Sequence, residues 1–304
     1  MTITKDPAAP LVAVVGATGT QGDSVVLALT ESDKPYRIRA FTRDESKPAA
    51  KALAEKGIEV VAVALSVENS GAVFKAFEGA DYTFLVTNWA EHGDPPRETT
   101  EGKLMIDAAK AAGVKGIVWS GLPSIDALHA SPTTAALLVS LSVDIQAGGY
   151  ASNMRTFMRP VKISEDTWAV NLPLPPTTRM PIIDAERDYG LFVCKALELP
   201  VFPDKQTWAT FGELISFEDQ TKQLSEATGK KVVFNQIPSA VFGEGVKSAG
   251  TPPHIALAIE EVFTSVGEFG YFSEGTVISQ EGLARQPRTW KQYVQAQDWS
   301  DVLL

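Results

Sequence analysis

The sequence has few of the residues that usually build metal centres and disulfides. Its 304 residues include one cysteine, Cys194, and three histidines without paired spacing. An internal disulfide is therefore excluded, and no metal site is predicted. Because Cys194 lies within the apolar residues 189–199, we interpret it as a small buried side chain.

Long apolar runs and clustered basic residues are also lacking. No stretch of about 18 apolar residues occurs, so no membrane-spanning helix is predicted. The first ten residues lack the basic flank and apolar core of a signal peptide, and we expect a cytoplasmic protein. The net charge is −10 and the basic residues are scattered, which gives no support for nucleic-acid binding. The remaining composition is typical of a globular protein.

The most informative stretch is the apolar run 11–15, followed by Gly16, Gly19 and Gly22. The run is typical of a strand buried on both faces, and residues 20–30 have the spacing of a helix. Glycines in such a unit permit a tight turn, let the backbone approach a pyrophosphate and let the helix pack closely on the strand. A plain tight turn is the alternative. We predict that a dinucleotide contacts Gly16, Thr18, Gly19, Thr20, Gln21 and Gly22.

Short apolar runs alternate with amphipathic segments through the first 120 residues. The pattern predicts strands over 11–15, 36–42, 58–65, 82–87 and 116–120, with helices over 20–30, 47–56, 72–77 and 98–112. Successive βα units imply a parallel sheet with right-handed crossovers. The predicted class is α/β, a Rossmann-type doubly wound sheet with a smaller, mainly helical C-terminal lobe.

After Ser120 the pattern becomes less regular. It predicts strands over 143–147, 167–172, 179–183 and 208–211, and helices over 132–141, 184–199, 217–228, 239–247, 252–263 and 289–298. We assign residues 1–150 to the cofactor domain, with 184–212 packing back on it. Residues 151–183 and 213–304 are assigned to a lobe for the substrate or a partner, which we expect to close over the reactive end of the cofactor.

The end of the second predicted strand bears on the choice of cofactor. An acidic residue there usually binds the ribose 2′-OH of NAD, whereas an arginine accommodates the 2′-phosphate of NADP. Arg43, with Lys47 within a turn of it, favours NADP(H), and Asp44 keeps NAD as an alternative. The alternative interpretation is that Arg43 is a solvated charge at the end of the strand.

Seven short segments carry a resemblance to a known family. They are Val14-Val15-Gly16-Ala17-Thr18-Gly19-Thr20-Gln21-Gly22, Thr42-Arg43, Leu85-Val86-Thr87-Asn88-Trp89, Glu101-Gly102-Lys103, Trp119-Ser120-Gly121-Leu122 and, more weakly, Gly149-Tyr150-Ala151-Ser152-Asn153 and Met180-Pro181-Ile182-Ile183-Asp184. In these the sequence resembles the NmrA-like family of atypical short-chain dehydrogenases/reductases. The resemblance implies a Rossmann domain that binds NADP(H) and a smaller C-terminal lobe. Members of the family include enzymes, among them reductases and fungal biosynthetic enzymes, and non-catalytic redox sensors that bind partner proteins.

The resemblance also assigns roles to residues at two strand ends. It implies that Thr87 and Asn88 lie beside the nicotinamide ribose, with Ser120 and Gly121 at the same rim. Ligands of open α/β sheets bind outside the carboxyl ends of the strands, which agrees with this placement. Alternatively, Thr87, Asn88 and Ser120 cap the strand ends and hydrogen-bond the loops.

The catalytic pair of ordinary short-chain dehydrogenases is missing. Those enzymes use a tyrosine followed four positions later by a lysine that lowers the pKa of the tyrosine hydroxyl. No lysine or tyrosine lies between Ser120 and Tyr150, and Met154 stands four positions after Tyr150. The lysine that NmrA-like relatives typically keep is replaced here by the uncharged residues 132–139, and Ala64-Leu65-Ser66 replaces the acid common at the end of the third strand.

Proton transfer in an enzyme of this kind must therefore use other groups. The candidates are Asp166, Asp184 and Ser120, with His92 and His129 on predicted rim loops. Because Asp166 lies beside Trp168 in the sequence, we expect the indole to desolvate the carboxylate and raise its pKa towards neutrality. A helix cap or a solvated charge is the alternative for either aspartate.

Aromatic residues near the predicted rim favour an apolar substrate. The predicted pocket residues are Trp89, Gly121, Tyr150, Asn153 and Trp168. The favoured hypothesis is an NADP(H)-dependent enzyme of secondary metabolism that acts on a bulky apolar molecule by hydride transfer or redox-assisted cyclisation. The alternative is a non-catalytic NADP(H) redox sensor that binds a protein partner. The sequence predicts no oligomeric state.

Overall fold

The computed structural model describes residues 3–88, 94–123 and 141–304. The chain forms two compact units. Unit 1 consists of Met1–Ala147, Ala185–Thr210 and Gly275–Gln286, and unit 2 of Gly148–Asp184, Phe211–Glu274 and Pro287–Leu304. All but the last residue of the helix predicted over 132–141 lies outside the described residues.

A seven-stranded parallel sheet forms the centre of unit 1. Its strands, numbered in chain order over both units, are β1 (Leu11–Val14), β2 (Arg37–Thr42), β3 (Glu59–Ala62), β4 (Tyr82–Leu85), β5 (Gly116–Gly121), β6 (Ser142–Ala147) and β11 (Thr207–Thr210). They lie in the order β11-β6-β5-β4-β1-β2-β3. The strand order changes direction between β1 and β4, which is where ligands bind in sheets of this type.

Five described helices accompany this sheet: α1 (Thr20–Glu31), α2 (Pro48–Glu55), α3 (Ser70–Phe77), α4 (Pro95–Ala111) and α5 (Ala185–Glu198). Side chains of the sheet, α3 and α4 form one apolar core around Phe41, Phe77, Met105 and Trp119. The parallel sheet with its helices confirms the predicted Rossmann-type class.

Helices α1 and α5 touch backbone to backbone at Gly190. A Cβ atom on Gly190 would lie 2.0 Å from the carbonyl oxygen of Ser24, and the Gly190 N–H donates to Ser24 Oγ at 2.9 Å. Because no side chain larger than glycine fits there, the contact fixes how α5 lies against the helix that follows the glycine turn.

Unit 2 contains two three-stranded sheets as well as the expected helices. One sheet has β12 (Glu213–Ser216), β10 (Arg179–Ile183) and β7 (Gly149–Tyr150), and the other has β13 (Lys231–Gln236), β9 (Thr167–Leu172) and β8 (Val161–Lys162). The helices are α6 (Phe217–Thr228), α7 (Ser239–Ser248), α8 (Pro253–Phe269) and α9 (Trp290–Gln295). Their core includes Trp168, Phe217, Phe263, Trp290 and Trp299.

The sequence prediction differs from the structure mainly in unit 2. It missed β7, β8, β12 and β13, and it did not indicate that β9 and β10 belong to different sheets. It also placed residues 275–286 in the second lobe, whereas they belong to unit 1, where Val277 bridges Trp208 of β11. None of the helices in the described ranges has the length and apolar character needed to cross a bilayer.

Candidate functional site

The glycine turn between β1 and α1 has a backbone that side chains would obstruct. Gly16 has a φ of +65°, in the left-handed region that favours glycine. A Cβ atom on Gly22 would lie 2.1 Å from the carbonyl oxygen of Gly16. The helix therefore starts close enough to the turn that only glycine fits at position 22.

The start of α1 offers its backbone N–H groups to a ligand. The N-cap residue is Gly19, so no side chain caps this helix in the described structure. The first N–H groups of a helix have no intrahelical partner, and they favour anions. A cavity of about 370 Å³ opens beside them. Its walls are formed by Ala17, Thr18, Gly19, Thr20, Asp23, Ala49, Leu53 and Glu186.

Basic residues lie between the end of β2 and the start of α2. Arg43 is exposed one residue after β2, and Lys47 is the N-cap residue of α2. Asp44 Oδ1 accepts hydrogen bonds from the Ser46 N–H at 2.9 Å and from Ser46 Oγ at 2.6 Å. These two bonds, followed by Lys47 and Lys51, lower the pKa of Asp44. Asp44 was the residue that left NAD as an alternative cofactor. One of its carboxylate oxygens is therefore occupied by hydrogen bonds within the turn.

Two of the predicted rim hydroxyls are engaged within unit 1. Thr87 Oγ1 donates to Glu98 Oε1 at 2.5 Å, and Ser120 Oγ donates to Gln21 Oε1 at 2.7 Å. Ser120 thereby joins the end of β5 to the first turn of α1, which favours a structural role for this hydroxyl. Asn88 is exposed. Trp89, His92 and His129 lie outside the described residues.

Two expectations for Asp166 and Trp168 are wrong. Asp166 is exposed and accepts hydrogen bonds from Thr167 Oγ1 at 2.9 Å and Ser164 Oγ at 3.1 Å. These bonds lower its pKa, the opposite of the predicted direction. The Trp168 indole is buried in the unit 2 core, with the Lys162 and Lys230 ammonium groups over its ring. The neighbouring hydroxyls and the core, rather than sequence proximity, decide both environments.

The remaining candidates of unit 2 are Asp184, Tyr150 and Asn153. Asp184 is buried, and its Oδ2 accepts a hydrogen bond from Arg288 Nη1 at 2.9 Å. Tyr150, at the end of β7, and Asn153 are both half-buried. Burial, with Tyr150 nearby, raises the pKa of Tyr271 above its usual value.

A buried carboxylate that the sequence prediction overlooked lies on β6. Asp144 pairs with Trp119 of β5, and Gln146 pairs with Gly121. Gln146 Nε2 donates to Asp144 Oδ2 at 3.0 Å, whereas Asp144 Oδ1 and Gln146 Oε1 have no hydrogen-bond partner among the described residues. Burial raises the pKa of Asp144 to about 6. The alternation of β6, with polar side chains at 142, 144 and 146, was the available signal.

The cysteine prediction is confirmed, since Cys194 is buried. Burial followed by the nearby Glu198 carboxylate raises the pKa of its thiol, which makes the thiol a poor nucleophile. Within the described ranges, no group of three His, Cys, Asp or Glu side chains is placed to hold a metal ion.

Comparison with known proteins identifies the family. The NmrA-like family model matches residues 9–138 and 139–299. The chain belongs to the NmrA-like family. It is 29% identical over 264 residues to the NmrA-like family domain-containing oxidoreductase malD of Malbranchea aurantiaca, covering 76% of each chain. It is 38% identical over 118 residues to the corresponding oxidoreductase FrzB of a Cladobotryum species, a match that covers 37% of this chain and 34% of FrzB.

A solved structure agrees in fold with this NmrA-like protein. The crystal structure of NmrA, a negative transcriptional regulator in complex with NADP, superposes with a TM-score of 0.73 over 95% of each chain. The sequence identity is 20%. At that identity the likeness shows the shared fold alone.

Proposed function

We propose that this protein is an NADP(H)-dependent oxidoreductase that acts on a bulky apolar small molecule. The observation that carries the proposal is the glycine turn. Gly22 leaves no room for a side chain, Gly16 has a left-handed backbone, and the uncapped start of α1 opens on a cavity. A dinucleotide pyrophosphate needs this combination of close backbone approach and free N–H donors.

The residues of unit 1 fit NADP(H) better than NAD(H). The first-turn N–H groups of α1 would hold the pyrophosphate, and Arg43 with Lys47 would hold the 2′-phosphate. Asp44 is turned towards Ser46. When bound, the cofactor supplies or accepts a hydride. The oxidoreductase names of malD and FrzB, and the NADP in the NmrA crystal structure, support this assignment.

An apolar substrate is proposed from the sequence around the predicted pocket. The uncharged residues 132–139 stand where relatives typically keep a lysine, and Trp89 follows the fourth strand. A role in secondary metabolism, by hydride transfer or redox-assisted cyclisation, is part of the same proposal. Gly121, Tyr150 and Asn153 remain predicted pocket residues.

Titration calorimetry with NADPH and NADH, followed by an oxidation assay, tests the proposal. We expect NADPH to bind at least about tenfold more tightly than NADH, because a charged hydrogen bond to the 2′-phosphate is worth more than about 1.4 kcal/mol. We also expect the near-ultraviolet absorbance of the reduced nicotinamide to fall when menadione, an apolar quinone that can accept the hydride, is added. Absence of NADPH binding, or binding without any oxidation, would overturn the proposal.

The redox sensor is the alternative function. The missing Tyr/Lys pair favours it, because a sensor needs a nucleotide site and a docking surface but no proton donor. Binding of NADPH without oxidation by menadione or by any small molecule retained on purification would favour the sensor. Mass spectrometry of the purified protein identifies retained molecules directly.

A further inference from the structure

We propose that Asp144 of β6 is the proton donor to the substrate, a catalytic residue in the place of the missing tyrosine. This inference rests on the proposed oxidoreductase function. It is drawn from two contacts of the buried Asp144 carboxylate, one with Gln146 and one with Gly121 at the carboxyl end of β5.

The Asp144 side chain leans towards the carboxyl edge of the sheet. In the strand register Asp144 pairs with Trp119, yet a Cβ atom on Gly121, two residues nearer the edge, would lie 2.0 Å from Asp144 Oδ1. The carboxylate therefore occupies the space that a side chain at position 121 would fill. The carboxyl edge is where ligands bind in open α/β sheets.

The hydrogen bonding of this carboxylate is incomplete. Oδ2 accepts from Gln146 Nε2, and the Gly121 backbone N–H lies near enough to the carboxylate to lower its pKa. Oδ1 is inaccessible to solvent, and no donor within the described ranges meets it in hydrogen-bond geometry. Gln146 Oε1, on the same face of β6, is also buried without a partner there. Buried polar atoms of native proteins are usually paired, and the protonated form of Asp144 adds one donor to this group of acceptors, which favours the acid form that proton donation requires.

The environment lets this acid exchange a proton near neutral pH. Burial raises the pKa of Asp144 to about 6, partly offset by the Gln146 hydrogen bond and the Gly121 backbone N–H. The described residues that pair with Asp144 on the neighbouring strands are Trp119 and Thr207, and neither titrates in this range. Part of the Asp144 residue reaches the surface, which provides a route for reprotonation.

The proposed step balances for a conjugated carbonyl substrate. When bound, NADPH would supply a hydride, two electrons and one proton, to the conjugated system, and the C=O π bond would open. The carbonyl oxygen takes the electron pair and accepts the Asp144 carboxyl proton, so that the substrate is reduced and NADPH is oxidised to NADP⁺. Solvent then reprotonates the Asp144 carboxylate.

The step is tested by single-turnover oxidation of bound NADPH by menadione. The rate is followed across roughly pH 5 to 8, a range that brackets the Asp144 pKa. We expect the wild-type rate to fall as the pH rises through the Asp144 pKa, because the protonated acid is consumed. Asp144→Asn should lower the rate about 100-fold and abolish this limb, with an unchanged Kd for NADPH. Asp144→Glu should restore part of the rate and part of its pH dependence. Asp107→Asn, on the exposed side of α4, is the matched control.

The outcomes separate this inference from the proposed function. If the wild type oxidises NADPH and Asp144→Asn, folded by its circular dichroism and unfolding temperature, keeps the wild-type rate and pH limb, Asp144 is structural and the inference is wrong. If the wild type binds NADPH but never oxidises it, the oxidoreductase proposal fails and the proton-transfer role fails with it.

Discussion

The acidic side chains of the two units have different surroundings. In unit 2, Asp184 pairs with Arg288, and Asp166 accepts hydrogen bonds from Ser164 and Thr167. In unit 1, the Asp144 carboxylate accepts from the Gln146 amide, and its Oδ1 is buried with no described donor in hydrogen-bond geometry. A carboxylate satisfied by its neighbours stabilises the fold, whereas one short of donors is suited to exchange a proton. The contrast supports our proposal that proton transfer takes place in unit 1.

The largest expected effect comes from Gly22→Ala, which disrupts the glycine turn proposed to bind the cofactor in unit 1. The new Cβ would meet the Gly16 carbonyl at 2.1 Å. Since backbone must move, we expect a loss of at least about 3 kcal/mol in the free energy of unfolding and no measurable NADPH binding. Urea denaturation and calorimetry measure both. Gly71→Ala in α3, where a Cβ meets nothing within 4 Å, is the control; equal losses in the two variants would contradict the packing argument.

A smaller effect is expected in unit 2 from Arg288→Met. It leaves the buried Asp184 carboxylate without its guanidinium donor, and we expect the free energy of unfolding to fall by about 2 kcal/mol. Lys291→Met, an exposed position on α9, should change it by less than about 0.5 kcal/mol. Urea denaturation of both variants provides the measurement. A stability loss no larger than that of the control would show that the ion pair does not stabilise unit 2.

Arg43→Ala sharpens the choice of cofactor within unit 1. We expect the Kd for NADPH to rise about tenfold, because one charged hydrogen bond to the 2′-phosphate is lost. The Kd for NADH, which lacks that phosphate, should stay unchanged and serves as the internal control. A parallel rise in both constants would mean that Arg43 supports the fold rather than the phosphate.

The smallest effect is expected from Asp166→Asn in unit 2. The carboxylate is exposed and its bonds are to adjacent hydroxyls. At about pH 7, the rate of NADPH oxidation and the unfolding temperature should therefore match those of the wild type. A loss of rate with preserved NADPH affinity would move the acid chemistry to unit 2.

The sequence predicted the glycine turn because its requirements are local. A left-handed backbone at Gly16 and the contact at Gly22 leave glycine as the only choice, so the spacing itself carries the geometry. The position of Arg43 at the end of the second strand was predicted from the same kind of local pattern, and Arg43 lies one residue after β2.

Other features depend on contacts between distant residues. Strand β9 pairs in parallel with β13, so Trp168 lies opposite Val232. The periodicity within a strand does not predict which other strand it pairs with. Asp144 is one of three polar residues that alternate along β6, but the sequence prediction overlooked it, and its burial arises from neighbouring strands that the alternation does not reveal. The donors to Asp166, Ser164 and Thr167, were adjacent in the sequence and were overlooked.

The most direct test of the assignment to unit 1 is the pH dependence of NADPH oxidation by menadione in Asp144→Asn and Asp166→Asn, measured side by side. The account predicts that Asp166→Asn keeps the wild-type rate and its fall above the Asp144 pKa, and that Asp144→Asn loses both. The reverse result, with Asp144→Asn unchanged and Asp166→Asn slow and pH-independent, would contradict it.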